Sequence, residues 1–215
     1  MTSGMTEDLP LIWWFFGISG ANGAWKNTQI ARIIEKYEQC SQVLSCKSRE
    51  PRINEILWID YHKLPIEYFK QSFVHANPMY RLECVYHDDY GIESWYGTRL
   101  EDVIECIKRW KRVVKEIEPV WYEIACKSLD KLHIPHFMIF LDISDDEIER
   151  RMRSRDPNES EVRIKWSIQR SRMEREMVLE RQKNFNDSLI IQWSGTKDDV
   201  FEEVSWAIAK FCGIQ

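Results

Sequence analysis

The chain has 215 residues, of which 44% are hydrophobic and 30% charged, and its net charge is -5. That length and balance suit one globular domain with a substantial core, and the acidic sign disfavours a general nucleic-acid binder. Charge is uneven all the same, with nine arginines between Arg150 and Arg181. The six cysteines form no C-x-x-C pair and have no histidine at zinc-finger spacing, so free thiols in a reducing compartment are expected. The apolar run Leu11–Phe16 follows acidic residues and is too short for a secretory leader. It also falls far below the ~20 apolar residues that span a bilayer. A cytoplasmic or nuclear protein without membrane attachment is expected.

Leu11–Phe16 is continuously apolar and predicts a strand buried on both faces of a parallel sheet. A turn with Gly17, Gly20 and Gly23 follows, and then Lys26 and Thr28 open a segment in which Ile30, Ile33, Ile34 and Tyr37 keep helical spacing. Residues 40–98 are rich in Tyr, His, Asp and Pro with weak periodicity, which predicts a loop-rich lobe with short strands. Leu100, Val103, Ile104 and Ile107 mark a further helix, and Phe137–Leu141 is a second all-apolar strand. A helix over Asp145–Ser154 with Ser144 as N-cap, a turn at Asp156–Ser160 and a long charged helix to about Asn184 come next. Leu189–Trp193 reads as a last short strand, and Val200, Phe201, Val204, Ile208 and Phe211 pattern a closing helix. Strands alternating with helices imply an α/β fold around a mainly parallel sheet.

The strand, glycine-rich turn and helix are the setting of a phosphate-binding loop. Backbone N–H groups at a helix N-terminus cradle phosphate oxygens there, and a lysine neutralises their charge. The pattern G-x-x-x-x-G-K-[ST] asks for glycine before the lysine, where this chain has Trp25, and Asn27 replaces the adjoining hydroxyl. Counting from Gly20 keeps the standard spacing to Lys26, whereas counting from Gly17 leaves three extra residues, and the sequence leaves both frames open. On this reading Gly20, Gly23, Lys26, Asn27 and Thr28 form the ATP-binding loop, and the Asn27 amide oxygen either faces Mg²⁺ or leaves the ion to water. An ordinary glycine-rich turn is the alternative, and Lys26, Thr28 and both flanking elements weigh against it.

A second constellation runs from Ser45 through Arg49 and Arg52 to Tyr61, then Glu83 and Tyr96-Gly97-Thr98. Two arginines three apart across a proline can converge on one phosphate, with the Ser45 and Tyr61 hydroxyls completing the pocket. A carboxylate such as Glu83 and a hydroxyl such as Thr98 suit the donor-and-acceptor edge of a purine. Each of these taken singly reads better as a surface charge or turn residue.

In order and spacing these segments resemble the guanylate kinase family, P-loop nucleoside monophosphate kinases, with a degenerate P-loop in this chain. Its pattern of a G-K-S-T loop, S-x-T-T-R-x-P-R, D-Y-x-F, L-E-W, Y-G-[ST], D-I-D and an arginine-rich lid is matched by Lys26–Thr28, Ser45–Arg52, Asp60–His62, Leu82–Cys84, Tyr96–Thr98, Glu116–Glu118 and Arg151–Arg155. The resemblance covers nearly the whole chain. It implies a single domain with a core over about 10–38, 99–145 and 185–215, a monophosphate-binding lobe over about 39–98 and a lid over about 146–184. It further implies that Ser45, Arg49, Arg52 and Tyr61 hold the phosphate of a nucleoside monophosphate. Tyr96 would touch phosphate or ribose, Glu83 and Thr98 would read a guanine-like base, and Glu118 stands where the family has an aspartate near base and metal. Arg151 and Arg155 would join Lys26 as catalytic residues, while a third lid arginine is replaced by Lys165-Trp166. Most of the other arginines of that region are expected to be solvated.

The activity implied is transfer of the ATP γ-phosphoryl group to GMP, dGMP or a related, even modified, nucleotide, with ATP and Mg²⁺ as cofactors and no direct nucleic-acid partner. The alternative is a catalytically inactive guanylate-kinase-like module that binds a phosphorylated ligand or protein partner, which Trp25 and Asn27 favour. A third reading, a phosphotransferase acting on a phosphorylated sugar, is opposed by the Glu83 and Thr98 match to a base pocket. Retention of Lys26 and the lid arginines favours the kinase.

Overall fold

The computed structural model describes residues 14–51, 56–59, 61–69, 86–87, 93–109, 111–193 and 195–212. Strand β1 (Phe15–Gly20) is buried at every position. Phe16 and Ile18 enter one apolar cluster and Phe15 enters the other. Both faces of a strand with period-2 side chains are therefore covered. Helix α1 (Lys26–Lys36) buries Gln29, Ile30 and Ile33. It leads to β2 (Cys40–Gln42), β3 (Ser45–Lys47), β4 (Tyr61–Lys63), β5 (Tyr86–His87), β6 (Glu93–Ser94) and β7 (Tyr96–Gly97). Then come α2 (Leu100–Lys108), β8 (Arg112–Glu116), α3 (Pro119–Lys131) and β9 (His136–Asp142). The chain continues through α4 (Asp145–Arg155), α5 (Glu161–Asn184), β10 (Ser188–Gln192) and α6 (Lys197–Cys212).

Five strands form the central sheet in the order β10-β9-β1-β8-β2, with every neighbouring pair parallel. Helices cover both faces, as an all-parallel sheet requires: Ile30 and Ile33 of α1 and Val204 and Ile208 of α6 belong to one cluster, Val103 of α2 and Leu129 of α3 to the other. This is the expected α/β architecture. A second sheet, β4-β3-β7, carries Tyr61, Ser45 and Tyr96, with Ser45 in register with Tyr61 and Lys47 with Tyr96.

The first strand lies later than its apolar run suggests. Leu11–Trp13 fall outside the described residues, and β1 continues through Gly17 to end at Gly20. A Cβ on Gly17 would sit 2.8 Å from Ile117 Cγ2, so glycine here admits side chains of the β8–α3 segment against the strand. Gly17 is thus inside the strand, and the loop frame that starts at Gly20 is the one the fold adopts. At Gly20 φ is 138°, and a Cβ would lie 2.3 Å from the Leu141 carbonyl oxygen of β9. That oxygen belongs to backbone and cannot swing aside.

The expected cap is present on α4, and α5 carries a second one that was not foreseen. Ser144 Oγ accepts from the Glu147 N–H at 3.3 Å, and Ser160 Oγ accepts from the Arg163 N–H at 3.3 Å. Among the described residues Cys40, Cys46, Cys106 and Cys126 are free thiols, and no helix is long and apolar enough to cross a membrane.

Gly20→Ala should cost about 2–4 kcal/mol, because backbone strain and a backbone clash act together there. Gly17→Ala should cost less, about 1–3 kcal/mol, since the Ile117 side chain can give way. Urea unfolding of the two variants measures both, and an unperturbed Gly20→Ala midpoint would contradict this turn.

Candidate active site

Ligands of open parallel sheets bind beyond the carboxyl ends of the strands. Here Gly20 of β1, Glu116 of β8, Asp142 of β9 and Gln192 of β10 mark that edge. Residues 21–25 form the loop, and Lys26 begins α1. The Lys26 ammonium folds back across the loop and donates to the Gly20 carbonyl at 2.9 Å and the Ala21 carbonyl at 3.1 Å. It lies 3.6 Å from the Glu116 carboxylate. A cation is therefore held over a helix N-terminus, the arrangement that receives a phosphate. Asn27 is exposed and Thr28 half-buried on the first turn of α1. An exposed amide oxygen there fits a hard cation such as Mg²⁺.

Trp25 keeps the backbone conformation that glycine supplies in such loops, with φ 57° and ψ 29°. A bulky residue in the left-handed region is strained. Its indole packs 4.4 Å from the Trp193 ring, centroid to centroid. The Arg151 guanidinium lies 3.9 Å from the Trp25 ring and 4.5 Å from the Trp193 ring. Arg151 also donates from Nη1 to the Gly23 carbonyl at 2.5 Å and from Nε to Glu147 at 2.5 Å. Arg150 and Arg151 hold the Glu147 carboxyl down to about 2. Asn22 donates to Ser167 of α5, so α4 and α5 both touch the loop. Arg155, by contrast, is exposed and 3.9 Å from Glu159. The structure thus brings Arg151 to the loop and leaves Arg155 exposed at the end of α4.

Glu118 pairs with Arg170, which also donates to Glu174 at 2.8 Å. Burial pushes the Glu174 carboxyl up, against the pull of Arg170. Arg175 pairs with Asp142 at 2.6 Å and Arg181 with Asp187. The expectation of solvated arginines is corrected for these three, because α5 lies against the sheet and turns them toward carboxylates at its ends.

On the second sheet the Arg49 guanidinium lies 5.6 Å from the Tyr61 ring and 5.8 Å from the Tyr96 ring. Its Nε donates to the Tyr96 hydroxyl at 2.9 Å, while Nη1 donates to the Glu50 carbonyl at 2.8 Å. Ser45 Oγ accepts from Lys115 at 2.5 Å. Thr98 is buried, and among the described residues its hydroxyl has no hydrogen-bond partner. Arg52 and Glu83 lie outside the described residues. Strand β8 joins the two sites, since Lys115 reaches Ser45 and its neighbour Glu116 faces Lys26.

Sequence reasoning missed Lys115, Trp193, Arg170 and Glu174. Lys115 had a signal, a lone cation following Val113-Val114 where a buried strand rarely carries one. A further cluster of Cys126, His136 and Asp187 lies toward the opposite edge, but Arg181 donates to both Asp187 and Cys126 Sγ. Burial pushes the Cys126 thiol up to about 12, and the Arg181 guanidinium already bonds two of the three groups, so the cluster is held as a hydrogen-bonded network.

The sheet, the loop and its helix define the chain as a P-loop α/β kinase fold. A crystal structure of guanylate kinase from Anaplasma phagocytophilum superposes with a TM-score of 0.60 over 94% of this chain and 87% of that one, at 14% identity. No family model matches the chain. Guanylate kinase of Clostridium perfringens (strain 13 / Type A) is 30% identical over 135 residues, a match spanning 63% of this chain and 58% of the relative's length. Guanylate kinase of Thermosynechococcus vestitus is 26% identical over 158 residues, covering 74% of this chain and 78% of that one. The chain thus shares its fold with a guanylate kinase and is similar in sequence to others, spanning 58% of the length of the Clostridium perfringens relative.

Arg151→Ala should destabilise by about 1–3 kcal/mol through loss of the stacked cation and the Gly23 bond. Arg151→Lys should cost nearly as much, because an ammonium cannot reproduce a planar guanidinium stacked between rings. Chemical unfolding of the two variants tests this, and a fully stable lysine variant would show that charge alone holds the loop.

Proposed function

We propose that the chain is a nucleoside monophosphate kinase that transfers the ATP γ-phosphoryl group to GMP, dGMP or a related nucleotide. The observation that carries the reading is the Lys26 ammonium, held over the loop at 2.9 Å from the Gly20 carbonyl and joined through β8 to the Ser45 pocket. Phosphoryl transfer is mostly positioning and charge neutralisation. Gly20, Gly23, Asn27 and Thr28 frame the ATP phosphates, and Lys26 exchanges its carbonyl partners for them. Asn27 would hold Mg²⁺, which when bound neutralises charge on the β- and γ-phosphates. Ser45, Arg49, Arg52 and Tyr61 bind the acceptor phosphate, Tyr96 positions Arg49, and Glu83 and Thr98 select the base. Glu118 orients Arg170 beside the donor site. Arg151 and Arg155 stabilise the transferring group, Arg151 after leaving Gly23 and Arg155 by closure of the lid, residues 146–184, over the core and the lobe, residues 39–98.

One observation favours a second reading, a binding module without transfer: Trp25, Trp193 and Arg151 pack together at the mouth of the loop. A panel of nucleoside monophosphates with ATP and Mg²⁺, followed by ADP release, separates the two. The kinase reading expects turnover with a guanine nucleotide, a loss of at least about a hundredfold in kcat for Lys26→Ala, and tighter ATP binding in Trp25→Gly. A parent that binds GMP or a phosphopeptide but no ATP would establish the module instead.

A further inference from the structure

Lys115 is the one lysine among the described residues with almost no exposure, at 1%, and it stands on β8 between the two sheets. Its ammonium donates to Ser45 Oγ at 2.5 Å. A lysine ammonium has donors only, and a serine hydroxyl has one proton and two lone pairs. The lone pair that faces Lys115 is taken, so the Ser45 proton is directed away from it, toward the pocket side. Ser45 is thereby fixed as a donor, the polarity that an anion needs. We infer that Lys115 is a positioning residue for the anionic group of the acceptor, setting the Ser45 hydroxyl as a donor and supplying a buried positive charge beneath the phosphate of a monoester. This rests on the reading that the Ser45 and Arg49 pocket takes a phosphate.

The surroundings of Lys115 support a charge kept for a ligand. Glu116 of β8 and Asp102 of α2 draw it toward the charged form, Lys47 of β3 opposes it, and the neutral Cys46 thiol lies alongside. Asp102 is itself occupied by Arg99, which donates to both of its oxygens at 2.8 and 2.6 Å. Glu116 is shared with Lys26. Neither carboxylate is dedicated to Lys115, and burial lowers its ammonium to about 8. A dianion at Ser45 would supply the missing counter-charge and raise that value, so binding would take up a proton. The sign follows: affinity is greatest below about pH 8 and falls as pH rises through it.

The experiment compares the parent with Lys115→Met, Ser45→Ala and the double variant, using GMP and inorganic phosphate as probes in calorimetry and steady-state kinetics. Methionine keeps the volume and removes the charge, and circular dichroism confirms folding. Lys115→Met should weaken GMP by about ten- to a hundredfold, the range of a lost hydrogen bond to a charged group, with the KM for ATP unchanged. The double variant should lose no more than the worse single one, because the two residues act as a unit. The fall in GMP affinity between about pH 7 and about pH 9 should vanish in Lys115→Met. Unaltered GMP binding in Lys115→Met, or losses that add in the double variant, would overturn the inference and leave the kinase reading standing. A parent that binds neither GMP nor phosphate would overturn both.

Discussion

Strand β8 is only five residues long, yet its period of two sets the geometry between the sites. Consecutive side chains leave a strand on opposite faces, so Lys115 and Glu116 must diverge. One meets Ser45 on the second sheet and the other meets Lys26 beyond the loop. The parallel pairing of Gly17 with Lys115 and Ile18 with Glu116 fixes their height relative to β1. A slip of one residue would move each side chain to the other face, placing either Glu116 against Ser45 or Lys115 against Lys26, according to its direction. The register of one strand pair therefore decides the sign of charge at each site. Gly17 has a part in holding that register, because its missing Cβ lets Ile117 and Tyr122 pack where a side chain would stand.

The loop resolves a conflict between local and tertiary preference. A non-glycine residue in the left-handed region costs about 1–2 kcal/mol, and Trp25 accepts that conformation at the start of α1. Its contact with Trp193 is of the kind worth about 0.5–1.5 kcal/mol beyond area burial. The Arg151 cation adds up to about 2 kcal/mol when it is shielded from water. These gains match or exceed the strain, which accounts for a loop that keeps its shape without the glycine its pattern asks for. The compensation comes from the far end of the chain, since Trp193 follows β10 and Arg151 sits on α4.

That distance explains what the sequence concealed. Elements with uninterrupted apolar runs, periodicity or a clear cap were legible: β1, α1 and β9 follow from pattern, α4 from Ser144, and α5 from its long charged run after the Asp156–Ser160 turn. Strand β8 and helix α3 were not, because Val113 and Val114 are followed by two charged residues and the strand exists only through its neighbours. The phosphate loop and the Ser45, Arg49, Tyr61 and Tyr96 group were readable as local spacing, and the fold does gather that group around one sheet. The partners of the loop were unreadable, because nothing near Trp25 announces Trp193. Arg170 was hidden for another reason. A charged helix looks solvated from its composition, and only its packing on the sheet shows which arginines meet Glu118 and Asp142.

The two halves of the site also differ in how they are satisfied before any ligand arrives. At the loop, the Lys26 ammonium is occupied by the Gly20 and Ala21 carbonyls and by Glu116, and the Arg151 guanidinium by the Gly23 carbonyl and Glu147. On the second sheet, Ser45 is held by a cation whose nearby carboxylates are engaged elsewhere. On the proposed reading, ATP must therefore exchange existing bonds, gaining the difference between a carbonyl and a charged phosphate as acceptor. A monophosphate instead completes an electrostatic set that lacks one anion. Exchange is conditional on the strength of what it displaces, whereas completion is not. The acceptor pocket is thus the prepared half of the site, and the donor loop is the half whose occupancy depends on breaking the Trp25, Arg151 and Trp193 contact.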